Sequence, residues 1–449
     1  MLLLRWNSTP GGVSVLIEFS VENFRSIRER QTLSMAASAS VHLRDSNTFS
    51  TDMKALPPLL RSAIFYGPNA GGKSNLVKAF HVMQWIVLNS QAQQQGQAIP
   101  VVPFRLSSVT ADKPTEFEVQ VIQDGVRYQY GFAASPERVH SEWLIAYPQG
   151  RPQRWFDREF NAENGVDVYE FSPLFHGGAR RQLWKDTTRG NALFLSTAIQ
   201  LNNEQLRPLF SWFKDRLAVV LPNEQFRQEF SLRLFEEKGG HERMMDFMNA
   251  ADINIAGIEV QKKNFVPEML PPDMPEPLRD VILRDFQDKK MANIRIRHLG
   301  EGGEVIEFGL GDESDGTQKL FWIAGPWMDV LAKGRVLVID ELDTHLHPVL
   351  MHFLVGLMHG SGTNPQNAQL LFTTHNTSLL DDDSIRRDQF WFVEKKADNS
   401  TSVYPLTDFH PRKKEALERG YLKGRYGALP IIRKGMGHGA TRSMWSTVR

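Results

Sequence analysis

Residues Gly67-Pro68-Asn69-Ala70-Gly71-Gly72-Lys73-Ser74 satisfy the spacing G-x-x-x-x-G-K-S. Glycines at that spacing let backbone N–H groups turn inward around phosphates, and a helix start adds positive potential. Lys73 is then placed to reach β- and γ-phosphates, the Ser74 hydroxyl to hold Mg²⁺, and Asn75 to complete the nucleotide-binding set. A second chemical element is Val336-Leu337-Val338-Ile339-Asp340-Glu341. A buried strand ending in Asp340 puts a carboxylate beside the phosphate loop, where it can support the metal shell through water. Glu341, next along, is suited to orient and deprotonate an attacking water.

Two further segments narrow the type of nucleotide chemistry. Ser314-Asp315-Gly316-Thr317-Gln318 opens a helix before the Asp340 strand. Ser314 and Gly316 offer a hydroxyl and bare backbone at that helix start, a second anion site with Gln318 behind it. One polypeptide cannot easily bring both anion sites to the same γ-phosphate, whereas a head-to-tail dimer can. Gln369-Leu370-Leu371-Phe372-Thr373-Thr374-His375 is another apolar strand, and His375 falls at its C-terminal end, where sheets of this type bind ligands. Its expected task is to donate a hydrogen bond to the γ-phosphate. Between these segments, Asp343 is placed to cross a dimer interface. His345 and His347 lack a Cys or an acidic cluster nearby and read as packing or interface residues in preference to metal ligands.

The elements that must carry these residues show in the hydrophobic pattern. Leu16–Val21 alternates as a half-buried strand, and Asn23–Ile27 leads into a second extended segment ending near Met35. Ser62–Tyr66 is an apolar strand stopping at Gly67, and the spacing predicts a helix from Lys73 to Asn89. Strands are expected at Thr115–Gln123, Val126–Phe132 and Glu142–Tyr147, the first two joined by the turn Asp124-Gly125. Residues from about 150 to 260 read as mainly helical, with helices at Ala192–Ile199, Gln205–Leu217 and His241–Ala250. The Pro-rich stretch Val266–Leu278 reads as a linker. Strands return at Asn293–His298 and Val305–Gly309, with a helix at Thr317–Ala332. The resulting division is an extension at 1–14, an N-terminal ATPase lobe at 15–150, a mainly helical insertion at 151–290, a C-terminal lobe at 291–400 and a basic tail at 401–449.

Composition bounds the alternatives. The 449 residues carry 52 Lys plus Arg and 52 Asp plus Glu, so a globally basic nucleic-acid coat is excluded and any phosphate-binding surface is local. With no cysteine, a disulfide scaffold and Cys-ligated metal sites are excluded. No stretch approaches the roughly 18 apolar residues of a membrane helix, and Met1–Ser14 lacks a signal-peptide core, so a cytoplasmic protein is expected. No Asn-Lys-x-Asp motif for guanine is present, which favours ATP.

The order phosphate loop, Ser314–Gln318, Val336–Glu341, Leu342-Asp343 and His375 resembles the ABC-type ATPase heads of chromosome-maintenance and DNA-repair ATPases. More narrowly, the phrases Leu16–Ser26, Asn191–Ser196, Arg386–Phe392 and Gly420–Ala428 resemble stand-alone bacterial "AAA family" ATPases of the RloA and AbiL phage-defence group. The resemblance implies an α/β P-loop NTPase with an ABC-type head. It makes Ser314–Gln318 the signature, Asp340-Glu341 the Walker B end, Leu342-Asp343 the D-loop and His375 the switch histidine. Three departures stand out: Ser-Asp-Gly-Thr-Gln replaces the transporter form Leu-Ser-Gly-Gly-Gln, a long insertion replaces the coiled coil of repair ATPases, and the Q-loop glutamine has three unranked candidates, Gln120, Gln123 and Gln129.

Related proteins fuse a TOPRIM nuclease after the ATPase. The stretch after His375 holds no lone-Glu strand followed by an Asp-x-Asp strand, and Asp381–Asp383 reads as a loop or helix cap. A nuclease effector, if used, is therefore expected to be a separate chain. The segment 401–449 holds ten Lys or Arg against three acids, an excess that could contact nucleic-acid phosphates or an acidic partner. The expected activity is ATP binding and hydrolysis with Mg²⁺, in a homodimer or larger homo-oligomer that gates an effector in antiviral defence. The alternatives are a DNA-binding repair ATPase and a slow-turnover scaffold or sensor.

Overall fold

The structure is a computed structural model, and it describes residues 14–51, 53, 56–222, 228–251, 253, 255–264, 274–277, 279–280, 283, 290–344, 346–412 and 415–429. The phosphate-binding strand β5 (Ser62–Tyr66) lies inside a six-stranded sheet ordered β11-β15-β16-β5-β17-β18. Its other members are β11 (Leu217–Val220), β15 (Val336–Ile339), β16 (Gln369–Thr373), β17 (Phe390–Lys395) and β18 (Thr401–Pro405). The first five run parallel and only β18 is antiparallel, against β17. Parallel strands buried on both faces are continuous apolar runs, which is why these segments show no alternation. Along β5, Ala63 and Phe65 enter one core and Ile64 and Tyr66 the other.

The second layer is a seven-stranded antiparallel sheet ordered β10-β9-β8-β7-β6-β1-β2. Its strands are β1 (Val15–Glu22), β2 (Gln31–Ser34), β6 (Thr115–Gln123), β7 (Val126–Ala134), β8 (Val139–Tyr147), β9 (Gln153–Asn161) and β10 (Val166–Phe171). The helix Lys73–Asn89 is wedged between the two sheets, with Phe80 stacked on Phe19 at 3.7 Å between centroids. A short pair, β3 (Thr48–Phe49) with β4 (Leu59–Leu60), and a three-stranded sheet of β12 (Gly257–Asn264), β13 (Lys290–Leu299) and β14 (Val305–Gly309) complete the strands.

The segment 151–290, expected to be mainly helical, also carries strands. The segment opens with β9 and β10, which extend the antiparallel sheet, and later supplies β11 to the nucleotide-binding sheet and β12 to the small one. Arg158 explains the missed strand: a guanidinium in the middle of β9 breaks the apolar alternation, yet it is 1% exposed. It donates to Asp167 at 2.9 Å and to the Ala192 carbonyl at 2.7 Å, so its charge is paired. The helix expected over Gln205–Leu217 shortens to Arg207–Ser211, followed by a π-turn at Trp212–Arg216 that releases Leu217 into β11. Asn23–Ile27 is a turn in place of an extended run, with Asn23 and Arg25 at positive φ.

The expected basic tail is also partly core. Thr401–Pro405 is β18, and Tyr421 and Tyr426 stack on Phe392 at 5.5 and 5.7 Å. The remainder of that stretch from residue 430, most of the Pro-rich linker and the extension 1–13 lie outside the described residues. The three acids Asp381–Asp383 close a short 3-10 turn, Thr377–Asp381, as a loop should.

The helix Asp315–Lys333 carries Pro326 in its interior. Proline removes the N–H that Trp322 O would accept. The Ser231 hydroxyl lies 3.0 Å from the Phe321 and Trp322 carbonyl oxygens and accepts from Gly325 N at 3.2 Å, replacing the lost bond. That repair keeps the helix continuous from Ser314 to its left-handed stop at Gly334.

Candidate active site

The phosphate loop joins β5 to its helix as the motif requires. Gly71, Gly72 and Lys73 are buried, while Asn69 and Ala70 are exposed at the rim. Ala70 and Gly72 both hold positive φ, at 62° and 116°. A Cβ on Gly67 would collide with the Val393 carbonyl oxygen on β17, so only glycine lets the loop sit this close to the sheet. Lys73 Nζ donates to the carbonyl oxygens of Gly67 at 2.7 Å and Pro68 at 3.2 Å. Burial pushes the Lys73 ammonium below its ordinary pKa, and the carboxylates of Asp340, Glu341 and Asp343 oppose that shift. The loop lysine and the three acids therefore share one electrostatic site. Ser74 and Asn75 start the helix half-buried, and Asn75 Nδ2 donates to Ser26 Oγ at 2.7 Å.

Asp340 ends β15, two strands from the phosphate loop, with β16 lying between them. The β16 residue Thr373 fills that gap. Its hydroxyl donates to Asp340 Oδ1 at 2.6 Å and accepts from Glu341 N at 2.7 Å. Asp340 is 3% exposed, and its Oδ2 has no hydrogen-bond partner among the described residues. A buried carboxylate oxygen without a partner is costly unless a cation or a cation-bound water meets it. Glu341 holds φ 55°, a left-handed conformation that costs a non-glycine residue of order 1 kcal/mol or more.

His375 is exposed at the end of β16, and its backbone N–H donates to Asp343 Oδ2 at 2.9 Å. One oxygen of Asp343 is thus engaged within its own chain. Ser314 caps its helix, accepting from Thr317 N at 3.2 Å, and the Gln318 side chain donates to Glu313 O at 2.8 Å. Ser314 is exposed and Gly316 half-exposed, and neither bonds to the phosphate loop of the same chain among the described residues. His347 caps the helix Pro348–His359 through Val349 N, and His345 lies outside the described residues.

Sequence reasoning missed Thr373 and Lys319. Lys319 Nζ donates to the Leu342 carbonyl at 3.3 Å and to that of Thr344, tying the helix Asp315–Lys333 to the turn after β15. Its pKa is pushed down to about 8 by burial, against the pull of Asp343 and Glu341. The one available signal was its position one helical step after Gln318. The three Q-loop candidates are engaged elsewhere: Gln120 with Glu18 and Arg127, Gln129 with Glu118, and Gln123 with Ser14 and Asp124.

A loop with phosphate-binding geometry, a buried half-satisfied aspartate and a strained glutamate are the parts of a nucleotide-hydrolysing centre. Residues 62–381, which contain all of them, match the family described as "AAA domain, putative AbiEii toxin, Type IV TA system". The chain belongs to that family. It is a P-loop ATPase of the AAA-domain type, α/β in class. Among solved structures, this AAA-domain chain is similar to an SMC head bound to the C-terminal winged-helix domain of ScpA, at 11% identity and TM-score 0.39, covering 87% of this chain and 96% of that one. It is also similar to the recombination mediator RecF with ATP, at 13% identity and TM-score 0.34, covering 88% and 99%. No curated protein matches it. No helix among the described residues is long and apolar enough to cross a membrane.

Proposed function

We propose that this ATPase closes head-to-tail as a homodimer around two ATP molecules, and that closure and hydrolysis gate a separate effector, a nuclease in the leading reading, during cytoplasmic antiviral defence. The family description, which names a toxin and a TA system, supports a two-component arrangement, and the RloA/AbiL-like phrases of the sequence support the defence setting. The observation that carries the reading is the bonded path Lys319–Leu342/Thr344–Asp343–His375. It links a signature helix whose start opens to solvent with the switch histidine of the chain's own phosphate site. A helix start facing a partner's nucleotide and a histidine facing its own would thereby respond together.

In this reading the phosphate-loop amides and Lys73 bind ATP, and Glu341 positions the attacking water. Ser74 and Asp340 fit Mg²⁺, because Asp340 Oδ2 is buried with no partner; when bound, the ion neutralises charge on the β- and γ-phosphates. His375 and the opposite subunit's Ser314 and Gly316 contact the γ-phosphate, and loss of that phosphate removes the charge they share. Glu341→Gln should bind ATP, hydrolyse it slowly and accumulate as a dimer by light scattering. A Glu341→Gln protein that binds ATP and stays monomeric contradicts the proposal. For the gating step, an effector released by Lys73→Ala and by Glu341→Gln alike would indicate a scaffold.

A further inference from the structure

Thr401 begins β18, remote in sequence from the phosphate loop, and is 1% exposed. Its hydroxyl lies 3.0 Å from the Gly71 carbonyl oxygen and 2.8 Å from Ser26 Oγ. Its backbone N–H donates to Ser26 O at 2.7 Å, which fixes the strand end against the turn after β1. Ser26 Oγ in turn accepts from Asn75 Nδ2 at 2.7 Å. The Thr401 hydroxyl carries one proton and two lone pairs. Two oxygens lie within its reach, and because the Gly71 carbonyl can only accept, the bond between that carbonyl and Thr401 is one that only Thr401 can donate.

The bond to the Gly71 carbonyl bears on phosphate binding. The described peptides are all trans, so the Gly71 carbonyl and the Gly72 N–H lie in one plane and point in opposite directions. Holding the carbonyl against Thr401 aims the Gly72 N–H away from the hairpin and into the loop. Gly72, at φ 116°, otherwise has the freedom of glycine to turn that peptide over. A Cβ on Gly72 would collide with the Thr401 side chain, which shows how closely the two residues are fitted. We propose that Thr401 is a positioning residue for ATP binding, acting through the Gly71–Gly72 peptide to keep the Gly72 N–H presented to phosphate. The Ser26 hydroxyl packs against the same Thr401 oxygen.

The test compares Thr401→Val, which keeps shape and the backbone bond but loses the hydroxyl, with Thr401→Ser, which keeps the hydroxyl. The readouts are affinity for a fluorescent ATP analogue, kcat and KM for ATP, and the nucleotide-free melting temperature. Loss of one charge-assisted hydrogen bond predicts about tenfold weaker ATP binding and a matching rise in KM for Thr401→Val, with kcat at saturation held within about threefold. Thr401→Ser should recover wild-type affinity to within about threefold. Should Thr401→Val prove unstable, Thr401→Ala carries the same comparison against Thr401→Ser, with the same loss of affinity expected. The proposal is overturned if Thr401→Val binds ATP as tightly as wild type. It is equally overturned if Thr401→Ser and Thr401→Val lose affinity to the same extent alongside a lowered melting temperature, since that pattern is packing alone.

Discussion

The Thr373 hydroxyl donates to one oxygen of Asp340 at 2.6 Å while the other oxygen stays buried without a partner. The same hydroxyl accepts the N–H of Glu341, so a single β16 side chain orients Asp340 and Glu341, the acid and base of the proposed function. Thr373→Val keeps the volume but leaves Asp340 Oδ1 and Glu341 N without their partner. Loss of both alignments should lower kcat by about ten- to a hundredfold while ATP affinity changes by less than about threefold. Steady-state ATPase assays paired with nucleotide titration check this; equal losses in both would place Thr373 in binding instead.

Lys319 should make activity sensitive to alkaline pH. Its ammonium pKa is lowered to about 8 inside the fold, against 10.5 for an ordinary lysine. Below pH 8 the charged amine holds the D-loop carbonyls, and as pH rises through 8 that charge is lost in the folded protein first. ATP turnover per bound nucleotide should therefore decline with an apparent pKa near 8, while Lys319→Arg, which stays protonated, should lack that falling limb. A pH profile identical in both proteins would remove Lys319 from the coupling path.

Gly67 tests the seat of the phosphate loop. A methyl group there meets the Val393 backbone oxygen, which cannot move without disturbing β17. Gly67→Ala should abolish measurable ATP binding and lower stability by about 1–3 kcal/mol, the range for overpacking a tight site. Thermal melting with and without ATP reports both effects.

His359 should set part of the acid lability. It is 5% exposed, lies 2.9 Å from Ser62 Oγ, and its pKa is lowered from 6.5 to about 4 by burial. The unfolded chain binds this proton more readily than the native one between those values, so stability present above pH 6.5 is lost progressively as pH falls toward 4. Chemical denaturation across that interval should show a steeper loss for wild type than for His359→Gln. Equal slopes would exclude His359 as a contributor.

The legible parts of this molecule were those in which local chemistry and long-range position coincide. Gly67–Ser74, the helix Lys73–Asn89 and the strand ending at Asp340 are each specified by contiguous residues, and the structure places them as the spacing implied. β9 was hidden because Arg158 is buried by partners that arrive from β8, β10 and the segment at Ala192. Thr373 was passed over for a similar reason: a threonine in an apolar strand looks like an ordinary β-former until the strand order puts it between Asp340 and the phosphate loop. Thr401 lay in a stretch whose composition suggested a charged tail, and only the pairing of β18 with β17 brings it beneath Gly71.

Complementation between two inactive variants tests the shared-site account most directly. Lys73→Ala lacks a working phosphate loop and Gly316→Asp lacks a working signature, so each should be nearly inactive alone. Mixed at equal amounts, half of the dimers are heterodimers with one complete site, and turnover should recover to about a quarter of wild type if each site acts independently. A mixture that stays as inactive as its components, or a Gly316→Asp protein with full activity by itself, would contradict the account.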